Sequence, residues 1–448
     1  MVSSALAKIV AVAAALAASV DGLPRIDPGV HRALRQQATV NLIVTFKEGT
    51  SSVLSSTLEA EFADRGEKIA SIVESLETHA TSSQTEVTKV LAQESETTTP
   101  LFTSSKSFWI SNQVYIEGAS VELLTELIQL SSISEIREEL VLPAPTLGNV
   151  TAATESAISV NANEWGVTII DAPDAWDLGY KGAGVVVSHI DTGVRYTHTA
   201  LSSTFRTSYG WYDPQKETST PYDAEGHGTH TMGTMVGSGG IGSELLSCAE
   251  FILCPTDTSG NNKDCSKAPD VVGNSWGGGQ GDTFYADAIS AWQAAGIIPV
   301  FSIGNDGPAC TTANSPGDDE NVISVGATTS ADALASYSSK GPSVTGLVKP
   351  EVSAPGSNVR SSYYSSDTSY ATGSGTSMAC PHVTGSIALL LSANSALTYD
   401  EVKAALTGTT DKTLSSTGYT CGSTSDATIP NNQFGYGRIN ALSAIKSV

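Results

Sequence analysis

The chain has 448 residues and a formal net charge of −23, with 46 Asp and Glu against 23 Lys and Arg. That acidic balance repels phosphate backbones and anionic bilayers, so it excludes nucleic-acid and anionic-membrane partners and favours solubility. The length allows two domains and a large core, and beyond the first 20 residues no apolar run is long enough to span a bilayer.

Residues 1–20 read as a secretory signal: Lys8 precedes the apolar run from Ile9 to Ala18, and Ala15-Leu-Ala17 offers a cleavage site. Residues 39–142 form a first domain, without cysteine and rich in Ser, Thr and Glu. Val40, Leu42, Val44 and Phe46 alternate as in a strand, and a long helical stretch follows to about Leu91. FWISNQVYI (108–116) is predicted as a strand, 121–130 has a helical apolar face, and 133–139 closes a βαββαβ unit of ferredoxin-like type. LPAPTL (142–147) opens a stiff linker region, 143–163, in which Asn149-Val-Thr151 is the one glycosylation sequon. There is no internal repeat and no low-complexity tract.

The region 164–448 carries an acid, a base and a nucleophile in that order. Asp191 ends the run VVVSHI (185–190), which reads as a strand buried on both faces, as in a parallel sheet. Functional groups in open α/β sheets gather at such carboxyl ends. An Asp-Thr-Gly turn is the bland reading, and a paired-aspartate mechanism needs a second copy that the chain lacks. Asp191 is therefore expected to orient an imidazole and stabilise its cation.

Among the histidines, His31 and His79 are expected in solvent, while His189 and His382 are expected to pack in the core. His227 and His230, three apart, would neighbour each other on a helix, but no third metal ligand of the zincin kind accompanies them. Gly226 and Gly228 bracket His227 alone, suiting a ring that substrate must approach, so His227 is the expected base.

VFSIGNDG (300–307) is a further strand ending in a Gly-rich turn; Asn305 there can donate a hydrogen bond to an oxyanion without neutralising the base. Ser377 opens the apolar helix SMACPHVTGSIALLL, and Pro381 requires that helix to begin near Ser377, because the first N–H groups of a helix have no partner to lose. The positive end of the helix then stabilises charge developing at Ser377. A helix cap is the bland alternative for this serine.

All six cysteines lie in this second region. Cys254 and Cys265 flank a polar loop that a disulfide would clip. Cys310 with Cys421 is a second pairing that spacing does not select. Cys380, one turn beyond Ser377, is expected as a buried thiol. No C-x-x-C metal spacing occurs.

From Trp165 onward the chain resembles the subtilisin-like serine proteases. The resemblance rests on the three segments above, in the Asp, His, Ser order of that family. It extends to IDAPDAW (170–176), NSWG (274–277), YSSKGP (337–342), KPEVSAP (349–355) and YGRIN (436–440). It implies an α/β fold, a mainly parallel sheet between helices, preceded by a small α+β ferredoxin-like propeptide domain. It implies Asp191, His227 and Ser377 as catalytic residues and Asn305 in the oxyanion hole. It assigns Ser275, Trp276 and Gly277 to the strand that pairs with substrate, Phe301, Ser302 and Gly304 to the specificity-pocket wall, and Asn314 to its base. It further implies polypeptide substrates, the chain's own propeptide as inhibitor, a monomer, and maturation within 140–163. Structural calcium is common in the family, but no run of carboxylates fixes a site, and the chemistry requires no cofactor.

One departure stands out. After the His227 segment the family pattern has a buried strand and a substrate-lining loop before the next helix. Here GSGGIG (237–242) runs directly into a predicted helix from Ser243. One core strand is thus expected to be missing after Gly242, by analogy between the Asp191 strand and its neighbour, together with one wall of the cleft. Cys248 is expected to lack a partner for the same reason. The leading expectation is a secreted, self-inhibited serine endopeptidase working through an acyl-enzyme. The alternative is a secreted, catalytically impaired binding or decoy protein, or a gene model that lacks a segment.

Overall fold

The computed structural model describes residues 23–58, 60–147, 151–152, 163–235 and 245–448. The signal segment, Asn149, most of 143–163 and the Gly242/Ser243 junction lie outside the described residues. The chain divides into two compact units, residues up to Glu61 with Ser71–Val141, and Phe62–Ala70 with Leu142–Val448.

The first unit is built on strands β1 (Arg25–Ile26), β2 (Thr39–Phe46), β3 (Ser104–Phe108), β4 (Gln113–Ser120) and β5 (Ile133–Glu138), ordered β1-β5-β2-β4-β3. β2 lies at the centre, antiparallel to both β4 and β5, and its alternating Val40, Leu42, Val44 and Phe46 are all buried. The order β5-β2-β4-β3 is the ferredoxin-like βαββαβ arrangement that the alternation predicted. Helix α1 (Pro28–Gln36), capped by the Asp27 carboxylate, precedes it. The stretch after β2 divides into α2 (Ser51–Leu58), α3 (Arg65–Ser83) and α4 (Thr85–Ser95), and α5 (Val121–Leu127) connects β4 to β5. One expectation is corrected: residues 108–116 are not one strand but the end of β3, a turn at 109–112 and the start of β4. Asn112 takes a positive φ of 47° there, a conformation asparagine tolerates better than most residues.

The second unit contains five parallel strands, β7 (Val187–Ile190), β8 (Val271–Asn274), β9 (Ile298–Ser302), β10 (Ile323–Thr328) and β11 (Val352–Pro355), ordered β11-β10-β9-β8-β7. β8 to β11 are buried throughout, which is why they read as near-continuous apolar runs. Their core includes Val271, Val300, Val325 and Val352 with Ala379, Val383, Ile387 and Leu390. The last four lie on the long central helix, given below as α11.

In chain order the helices are α6 (Trp165–Ile169), α7 (Ala172–Asp177), α8 (His227–Met235), α9 (Leu245–Leu253), α10 (Ala286–Ala294), α11 (Thr376–Ala393), α12 (Tyr399–Gly408) and α13 (Ala441–Lys446). A small antiparallel sheet, β12 (Val359–Ser362), β13 (Tyr370–Gly373) and β6 (Thr151–Ala152), stands apart from the main one.

Among the described residues no strand lies between α8 and α9, as expected, but the sheet is not interrupted between β7 and β8. No strand, and no space for one, separates β7 from its neighbour: β7 pairs directly with β8, Val187 opposite Val271 and Ile190 opposite Asn274. Among the described residues β7 is the terminal strand of the sheet. Direct pairing satisfies the facing N–H and C=O groups and confines any exposed edge to one side. Disulfides join Cys254 to Cys265 and Cys310 to Cys421, while Cys248 and Cys380 are buried, unbridged thiols.

Candidate active site

Asp191 follows the last residue of β7 and is buried. Its Oδ1 accepts from the Thr192 N–H at 2.7 Å and from His227 Nδ1 at 2.6 Å, and its Oδ2 accepts from Thr231 Oγ1 at 3.0 Å. Burial pushes this carboxyl upward, but the charge and hydrogen bond of His227, the nearby His189 and the Thr192 N–H outweigh it and hold the pKa below the ordinary carboxylate value. Nδ1 donates to the Asp191 carboxylate, which leaves Nε2 as the ring nitrogen on the far side from Asp191. That Nε2 is buried and has no hydrogen-bond partner.

His227 is the first residue of α8, and the preceding loop fixes where that helix starts. The Asp223 carboxylate accepts from Thr192 Oγ1, Glu225 N, Gly226 N, Thr229 N and Thr229 Oγ1 at 2.6–3.1 Å. It thus satisfies N–H groups that the helix start leaves unpaired and ties the acid-bearing turn to the base-bearing helix. Sequence reasoning missed Asp223, although an aspartate four residues before a helical histidine is a capping signal. Gly228 serves a different end from the one expected: a Cβ there would lie 2.0 Å from the Gly193 carbonyl oxygen, so this glycine admits the Asp191-Thr-Gly backbone and not the substrate.

Ser377 is the second residue of α11, which packs against α8. Its hydroxyl donates to the Ser275 carbonyl at 3.3 Å, and no hydrogen bond joins it to His227. Catalytic hydrogen bonds of this kind are often long or misaligned before substrate binds. Pro381 lies deeper in the helix than expected. The helix begins at Thr376, so Pro381 lies past the first turn and removes a bond to the Ser377 carbonyl. Ser275 Oγ occupies that carbonyl instead, at 3.0 Å. Ser275 and Ser377 therefore hold each other reciprocally, which fixes the nucleophile's backbone.

Asn305 is exposed, and its Oδ1 accepts from Thr376 N at 2.8 Å and Thr376 Oγ1 at 3.1 Å. This fixes the amide at the start of α11 and commits its oxygen, leaving the NH2 to donate. Beside it, Gly304 has φ +108°, and a Cβ there would meet Asn314 Oδ1 at 2.2 Å. Asn314 is in turn held by a 2.8 Å bond to Asp306 Oδ2. Across from these, Gly278 N donates to the Ser315 carbonyl at 2.9 Å, and a Cβ on Gly277 would lie 2.7 Å from the same oxygen. Gly277 and Gly304 thus both pack against Asn314. Ser302 is buried. Trp276 and Phe301 are also buried, edge to face at 5.3 Å, and pack with Tyr285. Their side chains therefore belong to the core.

His230, expected as a possible neighbour of His227, donates from Nε2 between the Val359 and Ala371 carbonyls, both at 3.1 Å. Burial, then the nearby His227, lowers its pKa to about 4. Among the described residues no three His, Cys, Asp or Glu side chains gather to hold a metal ion. Asp213 and Asp426, which collect several donors, accept them from N–H and O–H groups of their own loops. No described helix is long and apolar enough to cross a membrane.

A family model described as the Subtilase family matches residues 182–437, which includes Asp191, His227, Asn305 and Ser377. Bacillopeptidase F of Bacillus subtilis (strain 168) is 35% identical over 431 residues, covering 85% of this chain and 29% of that protein. Serine protease AprX of the same organism is 35% identical over 279 residues, 52% of this chain and 62% of its own. Thermitase of Thermoactinomyces vulgaris is 31% identical over 301 residues, 64% of this chain and 97% of its own. The chain spans less than two thirds of the first two of these relatives. The matched region spans the parallel sheet and the helices that carry His227 and Ser377, more than half of the chain, and on that ground the chain belongs to the subtilase family.

Proposed function

We propose that the chain is a serine endopeptidase, secreted as a self-inhibited zymogen and acting on polypeptides. The observation that carries this reading is the 2.6 Å bond from His227 Nδ1 to buried Asp191, with His227 Nε2 left without a partner on a helix that packs against the Ser377 helix. In this reaction Ser377 Oγ attacks the scissile carbonyl carbon while His227 Nε2 takes its proton. The Asn305 NH2 and the Ser377 N–H hold the oxyanion. The amide C–N bond breaks, the leaving nitrogen takes the proton from His227, and water then hydrolyses the acyl ester. Gly304 and Asn314 shape a recess for the side chain before the cut, and Ser275 to Gly277 pair with an extended substrate backbone. No cofactor enters these steps. The first compact unit acts as the inhibitor-like propeptide, and the acidic, disulfide-bonded catalytic unit works as an extracellular monomer, glycosylated at Asn149.

A second reading, a catalytically impaired binding or decoy protein, is favoured by one observation: Ser377 Oγ donates to Ser275 O and not to His227. A fluorophosphonate probe separates the two. Rapid labelling that Ser377→Ala abolishes is expected for the protease, whereas folded, processed protein that stays unlabelled would sink it.

A further inference from the structure

The second oxygen of Asp191 is served by residues outside the triad. His189 stands on β7 two residues before Asp191, and the two side chains share a face. Thr231 stands on α8 four residues after His227, so both project from one side of that helix. The strand repeat of two and the helical step of four thus bring four side chains together. Asp191 Oδ1 takes the Thr192 N–H and His227 Nδ1, while Oδ2 lies 3.0 Å from Thr231 Oγ1 and 3.9 Å from His189 Nδ1. His189 Nδ1 is in turn 3.3 Å from Thr231 Oγ1. The His189 and Asp191 side chains are each 1% exposed and Thr231 is fully buried, so these contacts are closed to bulk solvent.

We propose that Thr231 and His189 are positioning residues for the acid–base pair: they draw charge from the second oxygen of Asp191 and so set the pH at which His227 becomes a free base. This rests on the protease reading above and deepens it. A threonine within a helix usually returns its proton to a carbonyl three or four residues back, and the Gly228 carbonyl lies 3.1 Å from Thr231 Oγ1. A hydroxyl has only one proton to give, and an ionised carboxylate is the stronger acceptor. The proton therefore goes to Asp191 Oδ2. The Thr231 oxygen keeps its lone pairs, and a proton on His189 Nδ1 meets one of them. The effect on the pair has a definite sign. Each donor at Oδ2 disperses negative charge, which weakens the hold of Asp191 on a cationic His227 and releases the base at lower pH. The nearby His189 accordingly helps to keep the Asp191 carboxyl low. Three other titratable groups bear on the pair: His230 on α8 lies near His227, Cys380 on α11 lies near Asp191, and Asp223 is joined to the neighbouring Thr192. His230 and Cys380 are bonded to backbone carbonyls, which leaves Thr231 and His189 as the side chains placed at Oδ2.

The test follows the rate of fluorophosphonate labelling of Ser377 against pH in folded, processed protein. Labelling needs an unprotonated His227, so the acid limb of the profile reports the release of the base. Thr231→Val is expected to move that limb upward by about half a pH unit or more, while Thr231→Ser, which keeps the hydroxyl, stays within about 0.2 pH unit of wild type. His189→Leu is expected to move it in the same direction, and His189→Asn, whose amide donates from the place of Nδ1, to restore it. A Thr231→Val protein that melts earlier yet keeps the wild-type profile would make Thr231 a packing residue only and overturn the inference. If Thr231→Val fails to fold, the His189 variants decide: an acid limb that both leave at its wild-type position overturns it. Wild-type protein that is never labelled overturns the protease reading instead, so the two failures are told apart.

Discussion

Burial sets the chemistry of the histidines one by one. His382, inside α11, donates from Nδ1 to the Met378 carbonyl at 2.8 Å, and burial lowers its pKa to about 4, as burial and His227 do for His230. The unfolded chain takes up these protons near pH 6.5, the folded chain only near 4, so the unfolded state binds more protons across that window. Stability therefore falls on acidification from 6.5 towards 4, by about 3 kcal/mol per histidine. Denaturant midpoints at pH 7 and pH 4.5 are expected to show this slope, and His382→Gln to flatten it; an unchanged slope would refute the assignment. Asp223 makes a second case at this scale. Asp223→Ala removes the acceptor for two side chains and three backbone N–H groups, with an expected loss of about 1–2 kcal/mol in stability. Turnover is expected to fall at least about tenfold as His227 shifts. Asp223→Asn, which keeps one acceptor oxygen, is expected to fall between, with kcat and melting temperature as readouts. The Asp191–His227 pairing was legible because each residue sits in a contiguous motif. Asp223 was not, because its role appears only when its loop folds back on the helix start.

Among elements, α11 shows how a local flaw becomes a fixed geometry. Pro381 frees the Ser377 carbonyl and Ser275 occupies it, so Ser275→Ala leaves a buried carbonyl unpaired at an expected cost of about 1–3 kcal/mol. In a unit of this size that is a drop of roughly 2–4 °C in Tm per kcal/mol by calorimetry; an unshifted Tm would mean that water replaces the hydroxyl. The parallel strands were readable because they are buried on both faces. The turn at Asn112 was hidden because apolar residues continue through it, so periodicity alone ran two strands together. β6 was invisible for another reason: a two-residue strand has no period, and only its partner β13 defines it.

Across the whole molecule, the cross-links differ in reach. Cys254–Cys265 spans a sequence separation of 11 and Cys310–Cys421 one of 111. The chain-entropy account gives about 3 kcal/mol for the first and about 5 for the second. Replacing each pair by serine is therefore expected to cost about 2 kcal/mol more for Cys310–Cys421 in equilibrium unfolding, and the reverse order would refute that account here. The short pair could be anticipated from its loop; the long one depends on where distant segments meet, which spacing does not encode. The two-unit division was likewise readable from composition, since cysteine is absent from one part and confined to the other.

The placement of β7 bears on how this molecule fails when heated. The aspartate hangs from a slat that, among the described residues, is laced to the sheet along one side only. Such a slat frays before the inner ones, so inactivation is expected to run ahead of global melting, in step with amide exchange at Ser188–Ile190.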